Sequence, residues 1–139
     1  MSNKKSQGDA LVGLVLAYSA ASLFHFAHNG IFIADYPNLP PWLSATMVYA
    51  AWGVITFIGI AGSLLMWLGL RMLGLIIIAL YALLGFDGLG HYQLAPFFAH
   101  TPMMNLSICL EVFAASVLLI VVLKRVARLA GQTRFKASV

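Results

Sequence analysis

Residues 45–68 read ATMVYAAWGVITFIGIAGSLLMWL, a run without a single Asp, Glu, Lys or Arg. At about 1.5 Å per residue, a helix of that length crosses a hydrocarbon layer of about 30 Å with some tilt. Gly69, Leu70 and Arg71 interrupt it, and MLGLIIIALYALLGFDGLGHYQL then carries the chain on from Met72 to Leu94. Two apolar runs joined by so short a polar break form a helical hairpin. Working outward, similar runs extend over about residues 10–34 and 103–123. The stretch DYPNLPPW, from Asp35 to Trp42, ends the first span, because Pro37, Pro40 and Pro41 cannot continue a helix. Pro102 is suitably placed to open the last. The expected fold class is therefore all-α: an integral membrane four-helix bundle, one domain over residues 1–139, with spans at about 10–34, 43–68, 72–94 and 103–123.

Composition agrees. Of 139 residues, 62% are hydrophobic and 9% charged, and the mean hydropathy of +0.94 lies far from the soluble average. The basic residues are Lys4, Lys5, Arg71, Lys124, Arg125, Arg128, Arg134 and Lys136, and four spans would put all of them on one side. The positive-inside rule then places both termini and the middle loop in the cytoplasm, which in a prokaryote means the inner membrane. The net charge of +4 serves orientation and contact with anionic lipid headgroups; it does not form a separate nucleic-acid-binding domain. The apolar run after MSNKKSQGDA exceeds a signal-peptide core, so a retained first span is expected, and neither end carries a lipidation signal. The single cysteine, Cys109, permits no internal disulfide. The tail KRVARLAGQTRFKASV is expected to extend the last helix until Gly131 and then fray or lie at the headgroups.

Gly59, Gly62 and Ser63 on the second span, and Gly13, Ala17, Ala20 and Ala21 on the first, offer small-residue surfaces for close helix packing. Gly85, Gly88 and Gly90 predict a bend in the outer third of the third span.

The polar residues collect at the end opposite the basic ones. His25, Asp87 and Glu111 come from three different spans at a comparable depth, and ionisable groups inside a membrane mark function by default. His28 shares a face with His25, and His91 with Asp87, while Ser107 and Met104 share one with Glu111. Thr46, Tyr49, Gly53 and Thr56 are expected to line the same cavity from the second span. Mixed imidazole and carboxylate donors suit zinc, iron, manganese or copper. The candidate ligands are His25, His28, Asp87, His91 and Glu111, with His100 from the outer loop; Glu111 or Asp87 would move the proton in catalysis. Aromatic residues ring the expected mouth, Tyr36, Trp42, Tyr92, Phe97 and Phe98, first as interfacial anchors. A small lipid-soluble substrate such as a quinone or an acyl lipid could enter there for redox chemistry. Asp35 reads as a turn residue. Haem held by His28 and His91 is less favoured, since every Arg is at the other side. A different class of function, a nonenzymatic structural or assembly subunit bound to a membrane-protein partner, would use the same buried groups as helix bridges. HExxH, CxxCH, phosphate-loop and serine-nucleophile motifs are absent, so no reaction is diagnosed.

Overall fold

A computed structural model describes residues 2–137, with side chains described from residue 10 to residue 132. Four of its helices are long and apolar enough to cross a membrane, which is the fold of an integral membrane four-helix bundle; among the described residues there is no strand. Helix α1 is Ser2–Ile31, α2 is Ala45–Trp67, α3 is Arg71–Leu84, α4 is the short His91–Leu94, and α5 is Pro102–Ala137. In the bundle α1 packs on α2 and α5, and α3 packs on α2 and α5. Short connections between neighbours make this an up-and-down ring.

Local sequence explains each boundary. The Ser44 hydroxyl caps α2 by accepting from the Met47 N–H at 3.3 Å. The α2–α3 turn closes with Gly69 at φ 87°, where the Gly69 N–H reaches Met66 O and the Leu70 N–H reaches Leu65 O, the paired bonds of a Schellman cap. Thr101 caps α5 through its Oγ1, and Pro102 follows it at the first helical position. The proline-rich loop is held down by Asn38, whose amide donates to Leu94 O at 2.8 Å. The third span is bent as its glycines predict: α3 stops at Leu84, Asp87–Gly90 is a 3-10 turn, and α4 completes the crossing.

The α2–α3 seam is close-packed through glycine. Gly59 lies under the Tyr81 ring and Gly62 under Ile78, and a Cβ on Gly74 would collide with Met66 and with Gly62 O. Backbones approach this closely because lipid gives little apolar drive for association and packing must supply it.

Some expectations are corrected. Thr46, Tyr49 and Gly53 are exposed on α2; its buried residues are Val48, Ile55, Gly59 and Gly62, since this face is the one that meets α3 and the glycines set it. Tyr49 instead lies over Gly30 of α1. Gly13, Ala17 and Ala20 are exposed and only Ala21 of that set is buried, because the larger Tyr18, Ser22 and His25 take the inner face of α1. Helix α5 does not end at Gly131 but continues to Ala137. Arg71, Lys124 and Arg128 are exposed at one end of the bundle, called the basic end below; the side chains of Lys4, Lys5, Arg134 and Lys136 lie outside the described residues.

Candidate functional site

Tyr18, Ser22, His25 and Asn29 follow one another at spacings of three and four, so they form a single stripe along α1, and all of them are buried. The stripe faces α5, where Met104, Ser107, Ile108, Glu111 and Ala115 are buried. A polar seam therefore runs into the bundle from the end that carries the histidines. Toward the basic end it gives way to Leu11, Leu75, Ile78, Leu118 and Val122.

At its centre His25 Nε2 stands 3.7 Å from Glu111 Oε2, with the residues 2% and 0% exposed. The hydrogen bonds around the ring set its tautomer. Ser107 Oγ donates to Met104 O at 2.9 Å, which uses its one hydrogen. The 3.2 Å bond between Ser107 Oγ and His25 Nδ1 is then donated by His25. In the neutral ring Nε2 is therefore bare, and it faces a carboxylate. Both Glu111 oxygens are buried without a hydrogen bond of ordinary geometry, as are Tyr18 OH and Ser22 Oγ. Gly88 of the 3-10 turn makes room beside the pair: a Cβ there would meet Glu111 Oε2 at 3.4 Å and His25 Nε2 at 3.5 Å. Deeper in, Ser19 Oγ donates to Val15 O, so Tyr81 OH donates to Ser19 Oγ at 2.9 Å.

From this pair a chain of rings leads outward. His25 and His91 centroids are 5.5 Å apart, His91 and His100 6.1 Å, and Tyr36 lies against His91 at 4.8 Å. Tyr36 OH also bonds His28 Nδ1 at 2.9 Å. His28 and His91, the pair suggested for haem, are thus both engaged by the Tyr36 ring. Tyr36 lies outside the spans, and burial pushes its phenol above the ordinary value. His100 donates from Nδ1 to Pro96 O at 3.1 Å, and its buried Nε2 has no partner. The loop holding His100 is tied to α5 by Asn105, whose amide donates to Phe97 O at 3.1 Å and whose Oδ1 accepts from Tyr92 OH at 2.9 Å.

Asp87 is exposed and lines a side cavity of about 350 Å³ together with Asn29 and His91, and its carboxylate is near enough to Glu111 for the two to interact electrostatically. The structure thus joins His25, Glu111 and His91 in one buried polar seam, brings His28 and His100 to it through Tyr36, and leaves Asp87 exposed but within electrostatic reach of Glu111. Asp35 is exposed at the end of a 3-10 turn. Among the described residues, no group of three or more His, Cys, Asp and Glu side chains is arranged to hold one metal ion.

Several participants were not singled out from sequence as site residues: Ser22, Asn29, Tyr36, Tyr18 and Asn105. Asn29 carried a signal, since it falls one turn beyond His25 on the same face. Tyr36 was expected only as an aromatic anchor of the mouth, and the fold of the proline-rich loop turns it inward. No family model, no curated protein and no solved structure matches this chain.

Proposed function

We propose that this integral membrane protein performs acid–base chemistry on a small lipid-soluble molecule admitted at the histidine end of the bundle, with Glu111 and His25 as the proton-handling pair. A single observation carries the reading: two buried acceptors, His25 Nε2 and a Glu111 oxygen, face each other at 3.7 Å. Facing lone pairs in a medium of low dielectric repel unless something positive lies between them. A proton is the simplest occupant. One of the pair, Glu111 or His25, then carries a proton that passes to the other when the 3.7 Å gap closes to hydrogen-bond length, and Ser107 keeps the acceptor nitrogen turned toward it. The basic residues favour an orientation with both termini in the cytoplasm, so that the site opens outward.

The test uses protein reconstituted with extracted membrane lipids in deuterated buffer. Mass spectrometry should find a neutral lipid-soluble species that gains carbon-bound deuterium with the wild type and not with Glu111→Gln or His25→Gln. If no species separates wild type from both variants, the pair does no such chemistry, and a bridging role in a membrane assembly becomes the better account.

The same distance favours a second reading. A separation of 3.7 Å exceeds a direct hydrogen bond and would seat an ion at about 2.0–2.1 Å from each atom. A hydrogen-bonded Nδ1 behind a bare Nε2 is also how ligating histidines are held. Here zinc, iron, manganese or copper would take His25 and Glu111, with His91 released from Asn29 to join them, and would supply redox or Lewis-acid chemistry. Stoichiometric metal in purified protein, lost in Glu111→Gln, would install this reading in place of the first.

A further inference from the structure

At the basic end, Leu129 and Gln132 of α5 lie beside the α2–α3 turn and close a cavity of about 520 Å³ with residues 69–73. Its depth is marked by Trp67, which ends α2 and is 82% exposed, as an aromatic anchor among lipid headgroups is. Gly69 leaves the corner open, since a Cβ there would meet nothing within 4 Å. Arg125, Arg128, Leu129 and Gln132 follow one another at spacings of three and four, so the two arginines share the α5 face that lines the cavity. Their charges are close enough to interact, and Arg71 lines the cavity from the α3 side.

Charge and apolar surface together narrow the ligand. The acids among the described side chains are Asp35, Asp87 and Glu111, all toward the histidine end; the side chain of Asp9, like those of Lys4 and Lys5, lies outside the described residues. The corner therefore gathers positive charge with no described carboxylate beside it, and like charges at this spacing disfavour a helix unless an anion joins them. Leu70 gives α3 no side-chain cap, so the start of that helix adds uncapped N–H groups and the positive end of its dipole. Leu73 and Leu129 lie on the bilayer side of Arg71 and Gln132 in the same cavity. A cationic head site continued by an apolar strip fits an amphiphile. Arginine takes two phosphate oxygens at once with its planar fork, whereas a headgroup that also bears an ammonium would bring a cation against Arg71 and Arg128. We propose that this corner binds one anionic phospholipid, its phosphate on Arg71 and Arg128 and an acyl chain along Leu73 and Leu129. The site stands apart from His25 and Glu111 and does not depend on the acid–base reading.

Native mass spectrometry tests the assignment on the full chain, released into mild detergent from nanodiscs made of phosphatidylglycerol and phosphatidylcholine in equal parts. One phosphatidylglycerol per chain should be retained, about tenfold over phosphatidylcholine. Arg71→Gln and Arg128→Gln should each lower that retention about tenfold, the loss of a charge-assisted pair. Arg71→Lys, which keeps the charge but not the fork, should lower it less. Leu73→Trp fills the cavity from a position that is 47% exposed and keeps every charge, so it should block retention by a similar factor. Unfolding midpoints in phosphatidylcholine alone, unchanged from wild type, separate lost binding from lost folding in each variant. Equal retention of the two lipids, several phosphatidylglycerol molecules held without a preferred stoichiometry, or full retention in Leu73→Trp would overturn the assignment, the last two being marks of diffuse attraction to an anionic surface.

Discussion

The α2–α3 seam and the α1–α5 seam solve the same problem, holding two helices together in lipid, with opposite materials. In the first, Gly59, Gly62 and Gly74 bring backbones into contact beneath Tyr81, Ile78 and Met66. In the second, α1 offers Tyr18, Ser22, His25 and Asn29 to Ser107 and Glu111, and several of those polar atoms have no hydrogen bond. A membrane bundle gains little from desolvating apolar surface, so its stability comes from close packing and satisfied polar bonds. The glycine seam has the first. The polar seam lacks the second, and a region that leaves bonds unmade in so expensive a location is where function is to be sought. The ring thus has a seam of fully met contacts on one side and most of its unmet polar atoms on the other.

The comparison breaks most visibly at the glycine seam. Gly74→Val should be the most damaging change, because its Cβ would meet Gly62 O and Met66 N at 2.8 Å, both backbone atoms that cannot yield. Overpacking of this kind costs about 1–3 kcal/mol or more, and unfolding in mixed detergent micelles should show it as a lowered midpoint. Gly62→Ala, whose Cβ would meet Ile78 Cγ1 at 2.8 Å, should do the same to a smaller degree. By contrast, Glu111→Gln should change stability by less than about 1 kcal/mol, since the amide keeps the shape and can donate to His25 Nε2. Proton chemistry would be lost while the fold remains. Were Glu111→Gln as destabilising as Gly74→Val, the polar seam would be structural and the contrast would fail.

Ser107→Ala should have a more modest effect. It removes the acceptor that holds His25 Nδ1–H, costs about 0.5–1.5 kcal/mol, and frees the ring to exchange tautomers, which nitrogen spectra of labelled histidine would detect. Gly88→Ala places a methyl group within 3.4–3.6 Å of Glu111, His25 and Ile108. That is ordinary contact, so the bundle should fold normally while access to the pair falls. The smallest expected effect concerns Tyr36. Burial raises its phenol in the folded state, so stability is fully present below the ordinary tyrosine value of about 10 and is lost as pH rises from there through the folded value. Tyr36→Phe should remove that alkaline loss from a pH series of unfolding midpoints, along with its bond to His28.

Much of this was legible in the sequence. Uninterrupted apolar runs, proline punctuation and the one-sided basic residues are local signals, and they carried the helical bundle and the bend at Gly85–Gly90. The meeting of His25 with Glu111 could be anticipated because depth along a span is counted in residues. What could not be counted was rotation. Thr46, Tyr49 and Gly53 read as an inward stripe, but the glycines of α2 turn that helix toward α3 instead, and a weakly polar stripe does not outweigh backbone contact. Loops were less legible: His100 was expected at the site from the outer loop and Tyr36 only as an aromatic of the mouth, and both are held there because Asn38 and Asn105 fasten the loops that carry them. Asp87 lies on a predicted bend, and the path of that bend leaves it exposed while still near Glu111.

The central claim is that Glu111 and His25 exchange a single proton. Nitrogen-15 histidine and carbon-13 glutamate spectra of the reconstituted protein, recorded through a pH series beside elemental analysis of the same sample, test it most directly. The account predicts hydrogen on His25 Nδ1, joint movement of Nε2 and the Glu111 carboxyl in one coupled titration, loss of that coupling in Glu111→Gln, and no stoichiometric metal. Hydrogen on Nε2 with a bare Nδ1, or two independent titrations in the wild type, would contradict it.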